Sequence, residues 1–168
     1  MKEHYSFMIE ISESYKVHIV ILTWNNDKIL KKCLESIENV DHKNFTISVV
    51  DNNSSQQSLK MISENFPNIQ TIKNSKNFKY GRGYNEGLKK INVEDNDFII
   101  LLNDDTIVSR NFIDELINPL VKDQKAIIST PKILYSSNIN KIWYAGGIGA
   151  LWRGLIYHIG RRDFDGRN

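Results

Sequence analysis

Apolar residues in this chain gather into short runs separated by polar turns and by stretches of helical spacing. Val17-His18-Ile19-Val20-Ile21-Leu22 is nearly continuous in apolar character, the pattern of a strand buried on both faces of a parallel sheet. Asp27 to Asn39 follows as a helix, its apolar stripe formed by Ile29, Leu30, Cys33, Leu34 and Ile37. Phe45 to Val50 predicts a second strand, ending in Asp51-Asn52-Asn53-Ser54-Ser55, whose Ser and Asn types favour capping the next helix at Gln56 to Asn65. The pattern then repeats. Ile69 to Ile72 predicts a third strand, Gly83 to Ile91 a helix and Asp97 to Leu102 a strongly apolar fourth strand. A helix near Phe112 to Leu120 and a strand near Ala126 to Ser129 continue it. Beyond Pro131 the alternation weakens: Ile142 to Tyr144 fits a strand, Gly146 to Gly149 reads as flexible, and the charged end from Arg161 to Asn168 reads as a solvated tail.

Strands alternating with helices at this spacing predict right-handed βαβ units and an α/β fold with a mostly parallel sheet. Ligands of such folds bind at the carboxyl ends of the strands. The expected organisation is a poorly defined extension over residues 1–15, one binding domain over 16–150, and a final stretch over 151–168 that begins an acceptor-side region or forms a tail. Internal repeats and low-complexity segments are absent.

Composition fits one globular domain: 168 residues, 40% hydrophobic and 25% charged. A formal net charge of +2, with both signs interleaved, points away from nucleic acid as partner. The single cysteine, Cys33, rules out an internal disulfide and reads as a small core residue. No run reaches the roughly 18 apolar residues needed to cross a bilayer. The expected location is cytoplasmic; peripheral contact at the inner face of the cell membrane is compatible with it, because such contact needs no spanning segment.

Candidate chemistry lies at the strand ends. The fourth strand runs into Asn103-Asp104-Asp105-Thr106, adjacent carboxylates where an open sheet places its ligands. Mg²⁺ and Mn²⁺ are hard cations, held by one or two protein carboxylates with phosphate oxygens and water completing the shell. A solvated turn or helix cap explains the same residues without a ligand. Asp51 ends the second strand in the same way, and a carboxylate there can accept a hydrogen bond from a pyrimidine ring N–H, with Asn52, Asn53 and Ser54 as further polar contacts. Between them, Asn77 to Gly87 combines closely spaced glycines, which let backbone approach a ligand, with Lys79 and Arg82, which can meet phosphate.

Taken in order, Ile19 to Asn25, Val49 to Ser55, Asn77 to Gly87 and Leu101 to Thr106 resemble family 2 glycosyltransferases, over about Val17 to Gly149. Pro131-Lys132-Ile133 and Trp143-Tyr144-Ala145-Gly146-Gly147 are similar to the rhamnosyltransferase-like branch. The resemblance implies a GT-A fold, a Rossmann-like mostly parallel sheet flanked by helices. It also implies a nucleotide-diphosphate sugar donor, UDP- or TDP-linked, a glycan or lipid-linked acceptor, and a role in cell-surface polysaccharide synthesis with inversion at the anomeric carbon. Thr23 and Asn25 match the loop that lines the nucleotide, Asp51 with Asn53 the base-reading segment, and Arg82 a position near the donor phosphates. Asn103 and Asp105 match the first and third places of the family's Asp-x-Asp motif, making Asp105 the leading ligand for Mn²⁺ or Mg²⁺. Asp104 becomes a ribose contact or a support for that ligand. Lys79 falls where many relatives have glycine.

Direct displacement also needs a general base for the acceptor hydroxyl. In relatives it is an Asp or Glu in a later acidic motif, which Arg161 to Asn168 does not resemble. The expectation is a chain truncated before the acceptor-binding segment, able to bind donor and poor at transfer. Two other functions compete: a donor-binding module without turnover, and a nucleotidyltransferase. The second usually carries a glycine- and basic-rich loop after the first strand, where Thr23-Trp24-Asn25-Asn26 has neither.

Overall fold

The computed structural model describes residues 15–150, 152 and 154–166, so nearly all of the expected N-terminal extension lies outside the described residues. Contacts divide the chain into two units, one ending at Asp114 and one starting at Glu115.

The first unit is built on a four-stranded sheet. Its strands are β1 (Val17–Thr23), β2 (Phe45–Asp51), β3 (Gln70–Lys73) and β4 (Phe98–Asn103), in the order β3-β2-β1-β4. Each neighbouring pair is parallel, so every strand carboxyl end falls on one edge. Helices α1 (Asp27–Ile37), α2 (Gln56–Asn65) and α3 (Tyr80–Leu88) connect them. As a central strand with both faces covered, β1 is buried along almost its whole length, which is why its sequence is continuously rather than alternately apolar. On one face Val20, Val50, Ile72 and Tyr84 form a cluster, with Leu22, Leu88 and Ile91 against it. Ile19 and Ile21 alternate with Val20 and so point to the opposite face. Four residues of the expected α1 stripe, Leu30, Cys33, Leu34 and Ile37, are fully buried, whereas Ile29 stands 45% exposed, off the buried face.

At the amino ends of the strands a polar group is buried with its partners. His18 Nε2 lies 2.8 Å from Asp97 Oδ2 and its Nδ1 lies 3.0 Å from Thr46 Oγ1. The hydrogen bond from His18 is the main reason the Asp97 carboxyl is held below the usual carboxylate range.

The helix expected from Gly83 begins at Tyr80 instead. Lys79 supplies the break, with φ +66°, and the helical bond from Gly83 N–H to Lys79 C=O follows at 3.0 Å. Ser55, at the head of α2, makes no side-chain capping bond, contrary to the expected capping role of this loop. Its neighbours spend their hydrogen bonds across the loops, as described below.

Helix α4 (Phe112–Lys122) spans the division between the units. In the second unit β5 (Ile133–Tyr135) and β6 (Asn138–Tyr144) form one antiparallel pair, and β7 (Gly147–Ala150) and β8 (Leu155–His158) another. The glycine segment read as flexible is therefore strand β7, paired from Gly147 with His158 onward. The strand expected over Ala126 to Ser129 does not form, and Ile127 and Ile128 stand 86% and 77% exposed. A strand exists only where another backbone accepts its hydrogen bonds, and apolar character alone does not supply one. The segment read as a solvated tail is hydrogen-bonded: Arg162 N–H donates to Ile142 C=O, Ile142 N–H to Asp163 C=O and Asp165 N–H to Asn140 C=O. Among the described residues, no helix is long and apolar enough to cross a membrane.

Candidate nucleotide-sugar site

Parallel register brings the candidate residues to one edge. Thr23 is the register partner of Asp51, and Leu22 of Asn103. Thr23 is buried at the end of β1, and its hydroxyl donates to Asp104 Oδ2 at 2.7 Å. Burial pushes the Asp104 carboxyl above its ordinary value; hydrogen bonds from Thr23 and Asn26 pull the other way, and the neighbouring Asp105 charge adds to the rise. Asp105 itself is exposed, and no side chain pairs with its carboxylate among the described residues.

Asn103 is held from two sides. Its Oδ1 accepts from the Tyr80 hydroxyl at 2.8 Å, and its C=O lies 3.7 Å from the Cys33 thiol. Tyr80 meets Tyr84 edge-on at 5.2 Å, and the Tyr84 hydroxyl donates to Leu102 C=O at 2.7 Å. The two tyrosines thus brace the strand end that carries the acidic loop. Sequence reasoning missed Tyr80; its only signal was an aromatic set among glycines where a phosphate loop would need none. Cys33 lies beneath the loop as a core residue, its thiol pushed up to about 12 chiefly by burial.

Asp51 is fully buried: its Oδ1 accepts the Ser54 N–H at 2.8 Å, whereas Oδ2 has no partner. Asn25 reaches across from the β1 loop, its N–H donating to Ser54 Oγ at 2.9 Å and its Oδ1 accepting the Ser55 N–H at 2.8 Å. Asn25 and Asn53 both have left-handed backbones, φ +52° and +68°. Asn is among the residues that tolerate this conformation best. Asn52 is a buried hub: Nδ2 donates to Asn77 Oδ1 and Lys79 C=O, and Oδ1 accepts from Asn74 Nδ2 and the Phe78 N–H.

The sequence profile of glycosyl transferase family 2 matches residues 18–168. The chain belongs to glycosyl transferase family 2. A protein of Methanococcus voltae named dolichyl N-acetyl-alpha-D-glucosaminyl phosphate 3-beta-D-2,3-diacetamido-2,3-dideoxy-beta-D-glucuronosyltransferase is 28% identical over 159 residues, covering 77% of this chain and 48% of that protein. Among solved structures, S. aureus TarS 1-349 is similar with a TM-score of 0.56 and 20% identity, over 65% of this chain and 33% of that one. The mannosyltransferase PcManGT of Pyrobaculum calidifontis, in complex with GDP-Man and Mn²⁺, gives a TM-score of 0.56 and 15% identity, over 69% of this chain and 39% of that one. These likenesses establish the expected GT-A fold. The chain spans about half the length of the curated relative it matches.

Two glycines of the glycine-rich stretch have a packing role that their spacing alone does not reveal, whereas a Cβ on Gly81 would meet nothing within 4 Å. A Cβ on Gly87 would stand 2.3 Å from Val50 Cγ2, and one on Gly83 3.0 Å from Leu22 Cδ1. These two glycines let α3 lie close against the sheet. Lys79 has φ +66° and ψ −170°, a region that glycine occupies freely and other residues under strain. Arg82 is not joined to the acidic loop: its guanidinium sits 4.7 Å from the Phe78 ring centre and 3.9 Å from Glu86 Oε1. Asn53 instead lines a cleft of about 420 Å³ with Lys73, Asn74, Phe78 and Lys90.

Among the described residues no three His, Cys, Asp or Glu side chains converge as a self-sufficient metal cage. The oxygen donors of Asn103 and of the unpaired Asp105 suit a hard divalent ion whose remaining positions are filled by phosphate and water. The bond from Thr23 to Asp104 ties the loop that carries these donors to the end of β1.

Proposed function

We propose that this chain forms the donor-binding part of a metal-dependent, inverting glycosyltransferase that takes a UDP- or TDP-linked sugar. The observation that carries the reading is the convergence of an unpaired Asp105, a Thr23-anchored Asp104 and an unpartnered Asp51 oxygen on one sheet edge. Asp51 reads the base through a ring N–H, Thr23 and Asn25 shape the nucleotide loop with Asn53, and Arg82 swings from Phe78 to the diphosphate. Asp105 and Asn103 would hold Mn²⁺ or Mg²⁺, which would supply positive charge to neutralise the departing diphosphate. An acceptor hydroxyl attacks the anomeric carbon, the bond from that carbon to the diphosphate oxygen breaks, and the hydroxyl proton passes to a base. The name of the Methanococcus relative contains a dolichyl phosphate, which supports a lipid-linked acceptor. Complexes with UDP-GlcNAc and with GDP-Man among the structural neighbours support an activated sugar as donor.

Calorimetric titration with UDP and with TDP, each with and without Mn²⁺, tests this. Metal-promoted binding that disappears in Asp105→Ala is the expected result. Failure of both nucleotides to bind with the metal present would refute it, and release of pyrophosphate from a nucleoside triphosphate would instead favour a nucleotidyltransferase.

A further inference from the structure

The segment from Lys73 to Lys90 concentrates charge of one sign. It holds six cations, Lys73, Lys76, Lys79, Arg82, Lys89 and Lys90, against one carboxylate, Glu86, in a chain whose formal net charge is +2. The rest of the chain is therefore net acidic. All six cations are exposed, and their contacts join them into one surface at the β3 edge of the sheet. The Lys90 ammonium donates to Lys73 C=O at 3.1 Å, which brings the residues after α3 against the end of the edge strand. Arg82, Glu86 and Lys89 fall at i, i+4 and i+7, on one face of the helix and its last turn. Phe78 links that face to the loop: the Arg82 guanidinium lies 4.7 Å from its ring centre and Lys76 Nζ 5.5 Å. The carboxylate is already shared within the surface, 3.0 Å from Lys89 and 3.9 Å from Arg82. Among these groups lies the cleft of about 420 Å³, lined by Lys73, Asn74, Ser75, Phe78, Glu86 and Lys90. Cations gathered this closely with one carboxylate among them set up a positive field that favours an anionic partner.

We propose that this surface docks the chain on an anionic lipid bilayer, with headgroup phosphates meeting the lysines around the cleft. The cations spread over a loop and a helix face rather than converging on one point, which suits many headgroups met at once. The surface also borders the donor edge: β3 ends at Lys73, and α3 starts at Tyr80, whose hydroxyl meets Asn103. A chain docked this way holds its strand carboxyl ends beside the bilayer. That placement serves a lipid-linked acceptor, and in this respect alone it rests on the proposed function; attraction to lipid needs only the charge.

Each basic residue near an anionic membrane strengthens binding about fivefold. Co-sedimentation with vesicles tests the proposal, using phosphatidylcholine alone and phosphatidylcholine in which about one lipid in three is phosphatidylglycerol. The expected result is binding to the anionic vesicles at low salt, release as sodium chloride is raised, and none to phosphatidylcholine alone. Changing Lys73→Gln, Lys89→Gln and Lys90→Gln together should weaken binding about a hundredfold. Lys76→Gln with Lys89→Gln, which breaks no bond to the backbone, should weaken it about twentyfold. Lys28→Gln, Lys31→Gln and Lys32→Gln remove as much charge from α1 as the triple change does here, and should weaken it by less than about fivefold. Equal binding to both kinds of vesicle, or an equal loss in the α1 variant, would overturn the proposal. So would displacement by inorganic phosphate at constant ionic strength, the mark of a site for a single anion. Far-UV circular dichroism checks that each variant folds, and titration with UDP and Mn²⁺ bears on the donor site alone, so the two readings fail separately.

Discussion

Replacing Thr23 with valine tests the part of the site where burial and charge oppose each other. The change is nearly isosteric at a side chain only 2% exposed, so packing is retained and one hydroxyl is lost. That hydroxyl donates to Asp104 Oδ2 at 2.7 Å. Hydrogen bonds to charged groups contribute about 1.5–3 kcal/mol net, and the Asn26 contact that remains argues for the lower half, about 2 kcal/mol at neutral pH. In a protein of this size 1 kcal/mol moves Tm by roughly 2–4 °C, so Tm should fall by roughly 4–8 °C. The dependence on pH is the sharper test. Burial already raises the Asp104 carboxyl, so its ionisation costs stability: the contribution is present below the unfolded carboxylate range and lost as pH rises through the folded value. Removing a donor that stabilises the charged form raises that value further. The deficit of Thr23→Val relative to wild type should therefore be largest near pH 7 and shrink on acidification through the carboxylate range. Urea unfolding of both proteins at several pH values measures it, with other titrating groups cancelling in the difference. A deficit that is the same at every pH, or below about 0.5 kcal/mol throughout, would refute the assignment of Asp104 as a half-buried carboxylate sustained by Thr23.

Lys79→Gly should stabilise the chain by about 1 kcal/mol, because relief of a strained backbone, about 1–3 kcal/mol, exceeds the entropy cost of glycine; chemical denaturation checks it. Gly87→Ala should do the reverse, losing about 1–3 kcal/mol as the new Cβ drives Val50 and α3 apart, read as a lower urea midpoint. Cys33, with its thiol raised to about 12 and buried, should resist alkylation by iodoacetamide at pH 8 in the folded chain and react readily in urea; fast native labelling would show the helix stripe to be open.

How far the sequence carried the fold depends on how much each element relies on distant partners. Strands β1, β2 and β4 were legible within a residue or two from their short apolar runs, although only β1 is buried on both faces and Ile99 and Leu101 of β4 are exposed, and α1 because its stripe has helical period. The start of α3 was misplaced by three residues, since the left-handed backbone at Lys79 is set by Asn52 and Asn77 rather than by local propensity. The Ala126 to Ser129 strand failed for want of a partner, and β7 was overlooked because glycine hides a strand whose stability comes from pairing with β8. At the site, the strand-end acidic residues were visible from their position alone. Tyr80, and the crossing of Asn25 to Ser54 and Ser55, were not.

By itself the sequence determined the order of strands and helices from β1 to β4, the membership of the family and the residue types gathered at the loops. Periodicity and short motifs are local properties of a chain, and they survive without knowledge of what packs on what. Only the tertiary structure decided which of those residues meet. It set two glycines against the sheet, gave Thr23 to Asp104, and buried one Asp51 oxygen without a partner. Each of these depends on parallel strands brought into register across tens of residues, and hydrogen bonds made at that separation leave no pattern in the chain that makes them.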